Sequence, residues 1–176
     1  MIADIGHLDL NNIADLISVI PISFFMGTAY TSIVNMDLDS FKFLIGLLTA
    51  TLSSDVLKRI PYPDALYKIT RRPEGAANCD YLSKNGLASK NAPGFPSGHM
   101  TTTGFFVAHI LLDKMKEEEV SFTELVSNYK PLIVLSVSLI VGMSWARFYK
   151  KCHNITQIIG AILWGSLVGY LWHTYV

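Results

Sequence analysis

Five apolar blocks, each near the length of a membrane-spanning helix, constrain this chain more than any other feature. A helix needs about 20 predominantly apolar residues to cross the roughly 30 Å hydrocarbon core of a bilayer. The blocks lie at about 13–34, 41–57, 98–112, 132–148 and 155–175. Hydrophobic residues make up 51% of the sequence and charged residues only 16%, a balance unlike that of an ordinary soluble domain. The sequence therefore predicts a multi-pass integral membrane protein.

The third block, 98–112, is short and admits two interpretations. It is either a span within the bundle or a core helix buried among the others, because apolar runs of about 10 to 14 residues are compatible with both. The working prediction is an all-α transmembrane helix bundle of about five spans. The length of 176 residues suits one domain, so residues 1–176 are predicted to form a single unit.

The longest polar stretch, about 58–96, separates the second block from the third. It holds five of the seven prolines and is too long for a simple connector. If the five blocks are threaded up and down through a membrane, this loop and the adjoining helix ends lie on one membrane face. On that face the threading collects Lys58, Arg72, Ser97, Gly98, His99, Arg147 and His153.

These residue types suit a phosphate-binding pocket. Lysine and arginine supply positive charge, and the planar arginine fork matches two phosphate oxygens. The stretch NAPGFPSGHM places Ser97 and Gly98 at a predicted helix N-terminus, where backbone amides and the helix dipole favour an anion. Gly98 would let the backbone approach the phosphate closely. Two histidines remain, so that one can attack phosphorus while the other protonates the leaving oxygen.

Two motifs on predicted helix ends carry a family resemblance. PSGH at 96–99, followed by Arg147, five residues and then His153 in RFYKKCH, resembles the second and third signatures of the type 2 phosphatidic acid phosphatase (PAP2) superfamily. That superfamily includes lipid phosphate phosphatases, dolichyl-diphosphatase-like and glucose-6-phosphatase-like enzymes, and vanadium haloperoxidases. The resemblance implies that His153 is the nucleophile and His99 the general acid. The phosphate oxygens would then be held by the lysine of the first signature and by Arg72, Arg147, Ser97 and Gly98.

The first signature of the superfamily is a lysine, six residues, and then arginine and proline. The chain keeps the Arg72–Pro73 end, but the position that this spacing requires is Ala65. Lys58, at the end of the second block, is the favoured lysine, as if extra residues had been inserted before Arg72. Lys68 is the alternative.

A second departure from the family pattern is Gln157, which stands where an aspartate usually follows the nucleophile by four residues. At positions i and i+4 of a helix, His153 and Gln157 share a face. The amide oxygen of Gln157 is therefore expected to accept a hydrogen bond from the imidazole and to fix its tautomer. Glutamine at this position resembles the dolichyl-diphosphatase-like and glucose-6-phosphatase-like branches. Ala146 replaces the serine that usually precedes the arginine.

The resemblance implies hydrolysis of a lipid phosphate or a prenyl or dolichyl diphosphate through a phosphohistidine intermediate. No cofactor is expected, because no acidic or histidine cluster on the predicted face offers a ligand set for Mg²⁺ or Zn²⁺. The formal net charge of zero argues against a nucleic acid partner. The alternative is a membrane protein that binds a phosphorylated headgroup without turning it over. A vanadium-haloperoxidase-like enzyme is disfavoured by five apolar spans in so short a chain.

Four further residues, two cysteines and two aspartates, stand outside the predicted phosphate-binding set. Cys79 and Cys152 are too few for a disulfide framework, and neither has metal-ligand spacing. Asp15 and Asp55 fall within predicted spans, where acidic residues are candidates for function. Asp55 stands three residues before Lys58 and could orient it, whereas no role is predicted for Asp15.

Overall fold

The computed structural model describes residues 9–63, 66–77, 79 and 92–176, and within these ranges the chain is helical. The described residues contain no β-structure beyond isolated bridges, such as the one between Arg71 and Pro93. The helices in chain order are α1 (Leu10–Val34), α2 (Leu38–Arg59), α3 (Tyr67–Thr70), α4 (Gly98–Glu117), α5 (Phe122–Asn128), α6 (Lys130–Tyr149) and α7 (Ile155–Tyr175). The predicted all-α class is confirmed, and each apolar block corresponds to one long helix.

The helices begin where local sequence supplies a cap. Asp9, Asp37 and Ser97 cap α1, α2 and α4 by accepting hydrogen bonds from backbone amides of the first turn. Asn154 and Gln157 form a reciprocal capping box at the start of α7. Such side chains satisfy amides that have no partner within the helix. Short-range sequence therefore fixes where these four helices begin.

Four helices in the described part of the chain, α1, α2, α6 and α7, are long and apolar enough to cross a membrane. Their outward faces expose large apolar side chains, among them Leu16, Ile33, Leu135 and Leu163. Helix α4 has 20 residues but is not among the four. It is enclosed by the other long helices, and three consecutive threonines, Thr101 to Thr103, are fully buried in it. A helix surrounded by protein can carry polar residues that a lipid-facing helix cannot.

The direction of each helix follows from its contacts with α4. Gly165 and Gly169 of α7 lie against the backbones of Thr101 and Phe105, so α4 and α7 run parallel and pack closely through small residues. Gly46 of α2 also lies against Phe105, whereas Thr51 approaches Thr102, so α2 runs antiparallel to α4. The C-terminus of α2 and the N-termini of α4 and α7 consequently lie at one end of the bundle.

Candidate active site

The polar end of the bundle brings together residues from four long helices and the loop after α2. The C-terminus of α6 lies there too, because Ser144 Oγ approaches Met100 Sδ at 3.8 Å. His153 follows α6 in the short turn before α7. The up-and-down threading deduced from the sequence therefore agrees with the arrangement of the helix ends.

His153 is held in one tautomer by a backbone carbonyl. Its side chain is buried, and Nδ1 lies 2.8 Å from the carbonyl oxygen of Gly94 and 3.3 Å from Oε1 of Gln157. A carbonyl oxygen can only accept a hydrogen bond, so Nδ1 must carry the proton. Nε2 of the neutral ring therefore keeps its lone pair, which is the state that a nucleophile requires.

The environment of His153 also favours its neutral form. Burial lowers the pKa of this imidazole well below 6.5, and the positive charges of Arg147 and Arg72 lower it further. The hydrogen bond to Gly94 acts in the opposite direction, and the charge of Lys58 adds a smaller lowering effect. The ring is consequently uncharged near neutral pH although it lies among cations.

Gln157 is fully buried and links the turn of His153 to the polar loop. Its Nε2 donates hydrogen bonds of 2.7 Å to the carbonyl oxygens of both Ile69 and Arg71. Its Oε1 accepts from the backbone amide of Asn154 at 3.2 Å and lies within reach of His153 Nδ1. The amide oxygen thus makes the contact expected from the sequence, and the amide nitrogen makes two more that an aspartate could not.

Gly94 is the residue around which these groups pack. A Cβ at this position would lie 2.7 Å from Gln157 Nε2 and 3.0 Å from the backbone nitrogen of Arg72. The absence of a side chain lets the Gly94 carbonyl reach His153. Sequence reasoning missed Gly94, and the signal available was a glycine between two prolines in PGFP.

Arg147 is fully buried at the C-terminus of α6 and is held from two sides. Its Nη1 donates to Ser18 Oγ of α1 at 3.0 Å, and its Nη2 donates to the carbonyl oxygen of Cys79 at 2.6 Å. Neither Ser18 nor Cys79 was expected at the site. Asp15, one turn before Ser18, pairs with Lys150 at 2.5 Å, which gives this acid a partner beside the site.

The structure places Lys58 over the start of α4. A Cβ on Gly98 would lie 3.4 Å from Lys58 Nζ and 3.5 Å from Ser54 Oγ. Asp55 orients Lys58 through an ion pair of 2.8 Å, as its spacing indicated. The side chain of Lys68, the alternative lysine of the first signature, lies outside the described part of the chain, as does Ala65, the position that the family spacing requires.

The remaining predicted residues occupy the same end. Arg72 Nε donates to the carbonyl oxygen of Pro93 at 3.3 Å, which fixes the side chain beside the strand-like bridge. Ser97 is buried, and its hydroxyl caps α4 at Met100 N. His99 is buried in the first turn of α4, where the positive charges of Arg147 and Lys58 act on it. All seven residues collected by the threading therefore lie at one end of the bundle.

The two cysteines form a disulfide between Cys79 and Cys152, which are 73 residues apart. The count of two had pointed away from a disulfide framework, and sequence spacing gave no sign of the pairing. The bond ties the loop that supplies the Cys79 carbonyl to the turn that carries His153. Both sulfurs are buried beside Ala76.

Comparisons with known proteins agree with this architecture. The chain matches the PAP2 superfamily over residues 40–176. Its fold is similar to the crystal structure of the first transmembrane PAP2 type phosphatidylglycerolphosphate phosphatase from Bacillus subtilis, with a TM-score of 0.63 and 19% sequence identity. The similarity covers 97% of this chain and 78% of that chain. No curated protein matches the sequence. Since the family match extends over most of the chain and includes both histidines, this protein belongs to the PAP2 superfamily.

Proposed function

We propose that this protein is a membrane-embedded phosphatase that hydrolyses a lipid phosphate or a prenyl diphosphate through a phosphohistidine on His153. The observation that carries the proposal is the hydrogen bond from His153 Nδ1 to the Gly94 carbonyl. That bond leaves the lone pair on Nε2, in a buried environment where the charges of Arg147 and Arg72 act on the ring. A neutral imidazole among fixed cations is suited to attack an anionic phosphate.

In the first step, Nε2 of His153 forms a bond to phosphorus while the bond from phosphorus to the ester oxygen breaks. His99 supplies the proton that the leaving oxygen needs. Lys58, Arg72 and Arg147 balance the charge on the non-bridging oxygens, together with the backbone at Ser97 and Gly98. The product that departs first is the dephosphorylated alcohol, or a monophosphate if the substrate is a diphosphate.

In the second step, water attacks the phosphohistidine. His99, now neutral, takes a proton from the water as the new bond to phosphorus forms. The bond between phosphorus and Nε2 breaks, inorganic phosphate leaves, and His153 returns to its neutral state. The same two residues thus serve both halves of the reaction.

The location of the site supports a lipid phosphate as the substrate class. Helices with exposed apolar surfaces end beside His153, an arrangement that suits a substrate whose phosphate is carried by a lipid. The Bacillus subtilis protein of similar fold is named for a lipid phosphate, which favours the same class. Gln157, as in the dolichyl-diphosphatase-like branch, keeps prenyl and dolichyl diphosphates as candidates. We propose a reaction without a metal, since the surrounding cations would repel one.

We also propose that residues 1–176 act as one domain. Helix α1 precedes the region matched by the family, yet its Ser18 Oγ accepts a hydrogen bond from Arg147. Without α1, Arg147 would lose one of the two hydrogen-bond acceptors that orient its guanidinium. An α1-free chain is therefore expected to be inactive.

The decisive experiment separates the roles of the two histidines. His153→Ala should abolish turnover of every substrate, because no covalent intermediate can form. His99→Ala should lose about 10²–10⁴-fold on an alkyl phosphate but far less on p-nitrophenyl phosphate, whose leaving group needs little protonation. Alkaline quenching of the His99→Ala variant with radiolabelled substrate should trap acid-labile label on His153.

The assays are run in excess EDTA, so a loss of activity that Mg²⁺ restores would contradict the metal-free reaction. Label on His99, or rescue of His153→Ala by the good leaving group, would invert the assignment. Tight binding of a phosphorylated lipid with no phosphate release by the wild-type protein would favour the headgroup-binding alternative.

A further inference from the structure

The orientation of Arg147 depends on a backbone carbonyl outside any helix. The guanidinium is fully buried, and its two terminal nitrogens donate to Ser18 Oγ and to Cys79 O. Ser18 is fixed within α1, where its hydroxyl also bonds the Ala14 carbonyl at 2.7 Å. Cys79 belongs to no helix, so its carbonyl needs another restraint to remain in place.

The disulfide provides that restraint. Cys79 is bonded to Cys152, which lies in the turn between Arg147 and His153. The backbone amides of Cys152 and His153 both donate to the carbonyl oxygen of Arg147, at 3.0 and 3.3 Å. Cys79 is therefore linked covalently to the turn that follows Arg147, the residue to which its carbonyl is hydrogen-bonded. Arg147 is thus connected to Cys152 by two links: the hydrogen bond from its Nη2 to the Cys79 carbonyl oxygen, and the disulfide from Cys79 to Cys152.

We propose that the Cys79–Cys152 disulfide is a positioning element of the active site, which holds Arg147 for phosphate binding through the Cys79 carbonyl. The inference rests on the proposed phosphatase function. Both cysteines are buried and would act on the substrate through Arg147, so both are positioning residues. A disulfide that closes a long loop also stabilises a fold in general. The specific claim is that this bond acts on the chemistry through one arginine.

Activity should consequently follow the redox state of the protein. A dithiol reductant transfers two electrons and two protons to the bond, which gives two cysteine thiols and an oxidised, cyclic reductant. The Cys79 carbonyl then loses its link to the turn. Disulfides persist in oxidising compartments and are rare in a reducing cytosol. The pocket would accordingly be complete only where its membrane face meets an oxidising environment.

The test uses the full chain, purified in detergent, as oxidised, dithiothreitol-reduced and reoxidised samples. Two quantities are measured: kcat/KM for phosphate release from phosphatidate, and the rise in Tm that vanadate produces. We expect reduction to lower kcat/KM by about 10- to 100-fold, the scale of losing one well-placed phosphate contact. The vanadate-induced rise should shrink in parallel, and reoxidation should restore both. A Cys79→Ser, Cys152→Ser double variant should resemble the reduced protein and ignore dithiothreitol.

Ser18→Ala distinguishes positioning from general stabilisation. Ser18 and Cys79 hold the same guanidinium, so their effects should be coupled. The fold-decrease in kcat/KM on reduction should therefore differ between the Ser18→Ala variant and the wild type by more than about 3-fold. Ser136→Ala is the matched control, since this buried serine lies in the half of α6 remote from Arg147. Reduction should lower kcat/KM by the same factor in the Ser136→Ala variant as in the wild type.

Three results would overturn the proposal. One is a reduced protein with two titratable thiols that keeps kcat/KM and vanadate binding within about 2-fold of the oxidised sample. Another is the same fold-loss on reduction in the wild-type and Ser18→Ala backgrounds. The third is general unfolding on reduction, seen by circular dichroism, which would show that the bond stabilises the whole fold and does not act specifically on Arg147. An oxidised wild-type protein that neither releases phosphate nor responds to vanadate would instead refute the proposed function, and this inference with it.

Discussion

Gln157 Nε2 donates a hydrogen bond to the carbonyl oxygen of Arg71 across 2.7 Å, immediately before the arginine proposed to bind phosphate. The same nitrogen also donates to the carbonyl oxygen of Ile69, and the amide oxygen lies 3.3 Å from His153 Nδ1. One buried side chain thus joins His153 to the loop of Arg72. Only an amide can do this, because it combines two donors with an acceptor.

Gln157→Glu should therefore damage both fold and activity. The change keeps the shape but replaces the donor group by an oxygen that would face two carbonyl oxygens. We expect a loss of about 2–4 kcal/mol in the free energy of unfolding, since a buried charge and two carbonyls would lack partners. Thermal unfolding and kcat/KM are measured on the same preparation.

Asn128→Asp is the control for Gln157→Glu. It makes the same amide-to-carboxylate change at an exposed position in the last turn of α5. Its unfolding and kinetics should match those of the wild type. Wild-type behaviour of Gln157→Glu would show that the two carbonyl contacts do not matter.

Gly98→Ala should separate activity from stability. The added Cβ would meet Lys58 Nζ at 3.4 Å and Ser54 Oγ at 3.5 Å, which are ordinary contacts that the fold tolerates. Removing a glycine also restricts the unfolded chain, so stability should stay level or rise by about 0.4–1 kcal/mol. The methyl group would nonetheless occupy space that the phosphate needs, and kcat/KM should fall by about 10-fold.

Gly142→Ala provides the comparison for that variant. A Cβ on Gly142 of α6 has no neighbour within 4 Å, so the substitution should bring the same gain in stability. Its kcat/KM should be unchanged. Equal activity of the Gly98→Ala and Gly142→Ala proteins would mean that phosphate does not approach the start of α4.

Lys58→Ala should cost more activity than Lys68→Ala. Lys58 is fixed at the end of α2 by Asp55, with its ammonium next to Gly98. Loss of this cation should raise KM and lower kcat for phosphatidate, by about 10²-fold in kcat/KM. Both variants are compared at equal expression and equal thermal stability. The reverse order would assign the first signature to Lys68.

The acid limb of kcat/KM should lie below pH 6.5, the ordinary pKa of histidine. Burial and the charges of Arg147 and Arg72 lower the pKa of His153, so this proposed nucleophile stays neutral at lower pH than an ordinary histidine. The unfolded chain binds this proton more readily than the folded protein does. The stability contributed by the neutral ring is therefore present above pH 6.5 and declines as pH falls below it.

Arg72→Gln tests the cause of that shift. Removing one positive charge should move the acid limb toward higher pH, although only in part, because burial is the larger cause. The midpoint is read from kcat/KM with p-nitrophenyl phosphate between about pH 4 and about pH 8. Lys130→Gln, at the start of α6 and far from the site, should leave the midpoint in place. An unmoved midpoint in Arg72→Gln would exclude an electrostatic effect of this arginine on His153.

The amino-acid sequence by itself determined the helices and the side of the bundle on which the polar residues meet. Apolar block length sets which segments become long helices, and caps such as Ser97 and Asn154 fix where those segments begin. Alternating directions then place the ends of α2, α4, α6 and α7. These properties depend on neighbours within a few residues and on the thickness of a membrane, so a sequence is sufficient to predict them.

Only the tertiary structure decided which atoms meet within that end. The Gly94 carbonyl at His153, Ser18 at Arg147, and the bond between Cys79 and Cys152 each join residues from separate segments. Such contacts depend on how far each helix is rotated about its axis and on the path of the loop. A rotation of one residue, about 100°, would turn Ser18 away from Arg147 without changing the apolar pattern of α1. Helical order is set locally, whereas the hydrogen bonds that orient His153 and Arg147 are set by packing.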